Sequence, residues 1–171
     1  MGKITLITGP VRSGKSQRAV EQANVWGRDT VFVATYFPDA GDAEMSARVA
    51  RHRAGRPDWR TLEAPADVAA SLAALAQPPS GVILDCLTLW ISARVTDSDE
   101  AIAAQWSAQL SKFKAAPWPT VIVSNELGWG LVPADAESRR FRDLAGTLAQ
   151  LTAAAAEEVW LVIAGCPLRL K

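Results

Sequence analysis

The residues with the clearest chemical meaning lie near the start of the chain, Gly9-Pro10-Val11-Arg12-Ser13-Gly14-Lys15-Ser16. They match G-x-x-x-x-G-K-[ST], the pattern of a loop that wraps a row of phosphates. Gly9 and Gly14 let the backbone turn tightly, so that successive N–H groups converge on phosphate oxygens. A helix that starts at the lysine adds its own unpaired N–H groups and the positive end of its dipole. Lys15 is expected to bridge the β- and γ-phosphates, and the Ser16 hydroxyl to enter a Mg²⁺ shell. Asp85 closes the apolar run Val82-Ile83-Leu84, as a strand-end Mg²⁺ ligand would. A helix-capping or turn carboxylate has the same appearance in sequence.

A second constellation is cationic. Arg48, Arg51, His52, Arg53 and Arg56 fall within nine residues, and His52 is the single histidine of the chain. Arg48, His52 and Arg56 are spaced by four, which puts them on one face of a helix. Guanidinium groups present paired donors to oxyanions. Fixed positive charges disfavour the imidazolium form of a nearby histidine, leaving a nucleophilic nitrogen for phosphoryl or nucleotidyl transfer. A solvated basic face is the plainer alternative. The two cysteines, Cys86 and Cys166, show no metal-ligand spacing, and Cys86 reads as a reduced thiol inside an apolar run.

Elements that could position these groups alternate along the chain. Ile4 to Ile7, Val31 to Ala34, Val82 to Leu84, Val121 to Val123 and Val159 to Ile163 read as strands. Most are uniformly apolar, as parallel strands covered on both faces are. Lys15 to Trp26, Ala43 to Gly55, Ala66 to Ala76, Glu100 to Ala115 and Glu137 to Ala156 have helical composition. Trp59 to Leu62 is either a further strand or an extended connector. The alternation predicts one α/β domain over 1–171, with a mostly parallel sheet between helices. In such a sheet, ligands gather at the carboxyl ends of the strands, where Asp85 and Thr35 fall.

The bulk properties agree with a single core. The chain has 171 residues, and its 18 basic side chains balance 18 acidic ones. That balance gives no field for nucleic acid or an anionic membrane. No apolar run approaches the ~20 residues of a bilayer span. The first residues lack the pattern of a secretory signal, so the cytoplasm is the expected location. Seven tryptophans could serve a core or an interface, which sequence does not separate.

Further motifs narrow the reading. They are Glu44-Met45-x-x-Arg48, His52-x-x-x-Arg56-Pro57, Trp59-Arg60-Thr61-x-Glu63 and Asp85-Cys86-Leu87-Thr88-Leu89-Trp90. Ser124-Asn125-Glu126-x-Gly128-x-Gly130-x-Val132-Pro133 and Phe141-Arg142-Asp143-x-x-Gly146 follow, ahead of Leu170-Lys171. In order and wording the chain resembles, nearly end to end, the bifunctional adenosylcobinamide kinase/adenosylcobinamide-phosphate guanylyltransferase family of cobalamin biosynthesis. The resemblance implies a P-loop NTPase fold of the RecA-like kind and two reactions. A nucleoside triphosphate, ATP or GTP, phosphorylates the hydroxyl of adenosylcobinamide. GTP then gives GMP to a histidine, and adenosylcobinamide phosphate takes it up to become adenosylcobinamide-GDP.

Carried onto this sequence, the resemblance makes His52 the GMP acceptor and Gly9, Pro10, Val11, Arg12, Ser13, Gly14, Lys15 and Ser16 the triphosphate cradle. Thr35, Tyr36, Arg53, Ala54, Gly55, Arg56, Glu63 and Asp85 are expected to line the guanine-nucleotide site, with Mg²⁺ on Ser16 and Asp85. Glu126 is a candidate catalytic carboxylate that could accept the substrate hydroxyl proton, with loop anchoring as the alternative. A homo-oligomer, trimer or larger, is also implied, with the corrinoid expected between subunits near Asp85 and the His52 helix. Pro10-Val11 stands where the family commonly has Gly-Ala, and Ala93 and Ala149 where asparagines are expected. Two other readings use the same P-loop: a kinase of a different small alcohol without the guanylyl step, and a RecA-like ATPase acting on a macromolecule.

Overall fold

The computed structural model describes residues 2–36, 47, 49–50 and 53–171. Its strands are β1 (Ile4–Gly9), β2 (Thr30–Ala34), β3 (Arg60–Glu63), β4 (Gly81–Asp85), β5 (Thr120–Asn125), β6 (Glu158–Ile163) and β7 (Cys166–Arg169). The helices are α1 (Lys15–Ala23), α2 (Val68–Ala73), α3 (Leu87–Ser92), α4 (Asp99–Ala115) and α5 (Ala136–Ala155). One seven-stranded sheet runs in the order β3-β2-β4-β5-β1-β6-β7. Every pairing is parallel except β6 with β7.

The uniformly apolar strands behave as their composition predicts, because both faces of the sheet are buried. Residues alternate strictly between two cores. Leu6, Val31, Val33, Val82, Leu84 and Ile122 join the core beneath α2, α3, α4 and α5. Ile7, Phe32, Ile83, Val121 and Val123 face the other side, against Ala19 and Ala23 of α1. The register also aligns the strand ends. Gly9 pairs with Asn125, and Ala34 with Asp85, so the phosphate loop and Asp85 emerge on one edge.

Several expected boundaries shift for local reasons. The helix expected over Lys15 to Trp26 ends at Ala23 and tightens into a 3-10 turn over Asn24–Trp26. The segment expected over Ala66 to Ala76 shortens to α2, capped by Asp67. Asp67 accepts from the Ala70 N–H and from Gln109 and Lys112 of α4. Those donors hold its carboxyl down at about 2, the Ala70 bond contributing most. The Trp59 to Leu62 ambiguity resolves to a strand, since β3 pairs with β2. Of the helix expected over Ala43 to Gly55, Ala47, Val49, Ala50, Arg53 and Ala54 are helical, and the others except Gly55, a turn residue, lie outside the described residues.

Two elements carry no sequence expectation. The α3 segment, Leu-Thr-Leu-Trp-Ile-Ser, has no polar face to give it a helical period, and Leu87, Trp90 and Ile91 are buried. The β7 strand returns antiparallel along β6 through Ala164 and Gly165, both at positive φ. Pro167 fits there because an edge strand tolerates a missing N–H.

Three of the tryptophans belong to the core. Trp59, Trp90 and Trp106 are buried, and the Trp90 and Trp106 rings lie 4.9 Å apart, tilted by 55°. The Trp106 Nε1–H donates to Thr152 Oγ1 at 2.8 Å, and that hydroxyl donates on to the Leu148 carbonyl. Among the described residues no helix is long and apolar enough to cross a membrane. Thr152→Val keeps the shape but strands a buried indole N–H. It is expected to cost about 1–3 kcal/mol and to lower the melting temperature by several degrees without changing nucleotide affinity. An unchanged melting curve, read by circular dichroism, would contradict this account of the core.

Candidate active site

The phosphate loop leaves β1 at Gly9 and enters α1 at Lys15. A side chain at position 9 is excluded by packing, because its Cβ would lie 2.3 Å from the Val162 carbonyl oxygen and 2.8 Å from Ser13 Oγ. Gly14 caps α1 in the left-handed region, at φ 95°, where a Cβ would be strained. Two neighbours brace the loop's backbone. The Glu126 N–H donates to the Gly9 carbonyl at 2.9 Å, and the Gly165 N–H donates to the Ser13 carbonyl at 2.8 Å.

Inside the loop, Lys15 is buried, and its Nζ donates to the Pro10 carbonyl at 2.9 Å. Ser13 Oγ is buried beside Gly9 without a hydrogen-bond partner, the kind of unsatisfied polar atom that calls for an incoming partner. Val11 and Arg12 are exposed at the tip, with Arg12 at φ 59°.

Asp85 ends β4 beside the loop. Its Oδ2 is buried and has no hydrogen-bond partner. The capping alternative does not hold, because the cap position of α3 is Cys86. The chain immediately after Asp85 is clamped from β2. Thr35 Oγ1 accepts from the Cys86 N–H at 2.8 Å and donates to the Cys86 carbonyl at 2.7 Å. A second tie comes from β5, where Asn125 Nδ2 donates to Thr88 Oγ1 at 2.7 Å. Thr88 Oγ1 also sits 3.1 Å from Cys86 Sγ.

These elements enclose a cleft of about 800 Å³ at the carboxyl edge of the sheet. Of the residues singled out from the sequence, Lys15, Ser16, Tyr36, Arg53, Arg56, Glu63 and Asp85 all line it. On its far wall the Arg56 guanidinium lies 3.6 Å from the centre of the Phe32 ring and donates to Thr61 Oγ1 at 2.9 Å. Burial, then the charge of Arg53, lowers the Arg56 pKa, while Asp85 opposes them. Arg53 forms an ion pair with Glu63.

Other expected site residues stand elsewhere. Thr35 is buried behind the cleft, holding Cys86, and is absent from the cleft lining. Ala54 and Gly55 are exposed. Glu126 turns away, and its Oε1 accepts from the Gly128 N–H at 2.7 Å, which is the loop-anchoring role. His52, Arg48 and Arg51 lie outside the described residues. Phe32, Ala34, Val49, Cys86, Leu89 and Asn125 line the cleft in addition. Phe32 had a readable signal, since strand alternation puts it opposite Val31 and Val33. Leu89 had none, because α3 was not legible.

A phosphate-loop motif and a cleft lined by charged groups thus stand at one edge of the sheet, and comparison with known proteins specifies the family. The model of the family described as cobinamide kinase / cobinamide phosphate guanyltransferase matches residues 5–170. The chain belongs to that family. A bifunctional adenosylcobalamin biosynthesis protein, CobP, of Pseudomonas aeruginosa is 41% identical over 97% of this chain and 96% of its own length. The corresponding CobU proteins of Escherichia coli and Salmonella typhimurium are 35% and 33% identical, each over 97% of this chain and 98% of theirs. The chain is thus a cobinamide kinase/guanyltransferase family member matched along almost its whole length.

In this family member the cysteine beside Asp85 is held in its thiol form near neutral pH. Burial, and then the Asp85 charge, push the Cys86 thiol up to about 11. Below that value it holds its proton, and the thiolate appears only as pH rises toward it. At pH 8 the thiolate fraction is about one in a thousand. Iodoacetamide at pH 8 is therefore expected to modify the exposed Cys166 and leave Cys86 intact, with Cys86 labelling rising as pH increases. Peptide masses from quenched samples give the ratio, and equal labelling at pH 8 would refute the assignment.

Proposed function

We propose that this single cleft serves both transfers of a bifunctional cobinamide kinase and cobinamide-phosphate guanylyltransferase. The observation that carries the reading is the buried, unpartnered Oδ2 of Asp85 in one cleft with Lys15, Ser16, Arg53 and Arg56. A triphosphate on the loop would meet Lys15 and the Ser13 hydroxyl, and the segment that follows His52 in sequence would face it with guanidinium groups. Ser16 and the unpartnered Asp85 oxygen are the groups that would hold Mg²⁺. It takes few protein ligands and shares phosphate oxygens and water, and no cage of three or more His, Cys, Asp or Glu side chains occurs among the described residues. When bound, the ion neutralises charge on the phosphates.

In the kinase step the hydroxyl oxygen of adenosylcobinamide bonds to the γ-phosphorus of ATP or GTP, the nucleoside diphosphate leaves, and the hydroxyl proton is released. Lys15 and the loop N–H groups hold the charge that accumulates on the transferring and leaving oxygens. In the second step a His52 nitrogen bonds to the α-phosphorus of GTP and pyrophosphate leaves. A phosphate oxygen of adenosylcobinamide phosphate then displaces the histidine, giving adenosylcobinamide-GDP and restoring His52. Arg53 and Arg56 are the charges that would stabilise these phosphorus centres. A homo-oligomer, trimer or larger, and a cytoplasmic location belong to the same reading.

Incubation with Mg²⁺ and GTP labelled at the α-phosphate is expected to leave an acid-labile, base-stable GMP adduct on the His52 peptide. His52→Ala should form none while still binding GTP. No adduct from a folded, GTP-binding sample would limit the protein to phosphoryl transfer. Asp85→Asn, nearly isosteric and neutral, is expected to slow both transfers by on the order of 10²-fold, measured as product formed at saturating nucleotide.

A further inference from the structure

A second cleft, of about 1,010 Å³, opens on the other side of α3 and the β5 exit. Two elements contribute neighbouring residues to both clefts. Leu89 lines the first cleft and Ser92 the second, and they sit three residues apart on α3, about 5 Å along the helix. Asn125 lines the first and Leu127 the second, two residues apart where the chain leaves β5. A ligand seated in the second cleft could therefore extend an arm over one helical turn to Asp85 and the phosphates.

The cleft is built from tied parts. Residues 127–134 are held at one end by the Glu126 carboxylate on the Gly128 N–H. At the other end Arg139 donates to the carbonyls of Pro133 at 2.8 Å and Ala134 at 2.6 Å. Opposite, Arg140 reaches from α5 to the Val95 carbonyl at 2.8 Å, the Asp97 carbonyl at 2.5 Å and the Asp99 carboxylate at 2.8 Å. Between the loop's ties stand three large apolar side chains, Trp129, Leu131 and Val132, which are 62%, 96% and 67% exposed. An apolar patch on an anchored loop marks a surface that something covers.

The lining says what kind of ligand fits. Leu127, Leu131, Pro133 and Phe141 give broad apolar walls, and Ser92, Ser138 and Arg142 supply polar groups. A second nucleotide fits poorly. The N-terminus of α5 is already occupied by the Asp135 carboxylate, which accepts from the Ser138 N–H, and Glu137 adds a negative charge in its first turn. A phosphate row would be repelled there. A large ring with apolar faces and an amide-bearing rim matches both surfaces.

We infer that this second cleft seats the corrin ring of cobinamide, with apolar faces on Leu131 and Phe141 and the hydroxyl arm directed over α3 to the nucleotide. The assignment rests on the bifunctional reading above. It puts the acceptor in a cleft formed by one chain, not between subunits.

The test separates the two claims. GMP-adduct formation from GTP uses no corrinoid, so the adduct yield per chain reports the bifunctional reading, and its absence from the unsubstituted protein would overturn that reading alone. Leu131→Asp changes an almost fully exposed residue, and Phe141→Ala provides an independent variant. Val25→Asp, at an 85% exposed position distant in sequence from the lining of both clefts, is the control. Cobinamide affinity by equilibrium dialysis and its KM in the kinase assay are expected to weaken about ten-fold or more in both variants and not in the control. Adduct yield and molar mass by light scattering should stay the same. Unchanged cobinamide affinity in both variants would overturn the assignment. So would a loss accompanied by a change of molar mass, which would make this face a contact between copies of the chain.

Discussion

The active edge of this protein depends on a backbone contact that admits no side chain. At Gly9 the phosphate loop leaves its strand so close to Val162 on the neighbouring strand that a Cβ would collide with the carbonyl oxygen. The close approach lets β5 and the β6–β7 turn reach the loop from either side, through the Glu126 and Gly165 N–H groups. The loop is therefore braced by the sheet on both sides. A loop held this way need not be reorganised when charge moves onto the phosphates, which is how fixed dipoles lower a barrier.

A second set of ties serves Asp85. Its carboxylate is partly buried and has an oxygen without a partner, a costly arrangement unless a cation or donor arrives. The Thr35 hydroxyl grips both backbone groups of Cys86, and Asn125 holds Thr88 in the first turn of α3. Together they set the direction in which the chain leaves β4. Arg56, stacked on Phe32 and bonded to Thr61, fixes a positive charge on the far wall. The charged groups that line the cleft thus come from the end of β1 and the start of α1, from β4 and from the segment before β3, and the parallel register brings them to one edge.

Much of this was legible in the sequence, for identifiable reasons. The P-loop pattern, the strand-end aspartate and the basic cluster are local in sequence, and a parallel sheet places strand ends together whatever the detailed packing. Uniformly apolar strands announced two buried faces, and the alternation of Val31, Phe32 and Val33 between two cores follows from strand periodicity. The short helix α3 and the returning strand β7 were not legible. The first is apolar on nearly all sides, so it has no period to read. The second contains a proline and is exposed, so only its pairing with β6 makes it a strand.

Glu126 and Thr35 illustrate the limit most clearly. Both stand at strand ends facing the ligand edge in sequence terms, and both side chains are used by the protein itself, one on the Gly128 N–H and the other on Cys86. By itself the sequence determined the fold class, the phosphate-loop motif with its lysine, the strand-end aspartate, and the family. Only the tertiary structure decided which strand-end side chains face the cleft, that Asp85 keeps an unpartnered oxygen, and that a second cleft shares α3 with the first. The physical reason is that motifs encode backbone conformation and charge within a few residues. The direction of a side chain, and what competes for its hydrogen bonds, is settled by neighbours that are distant along the chain.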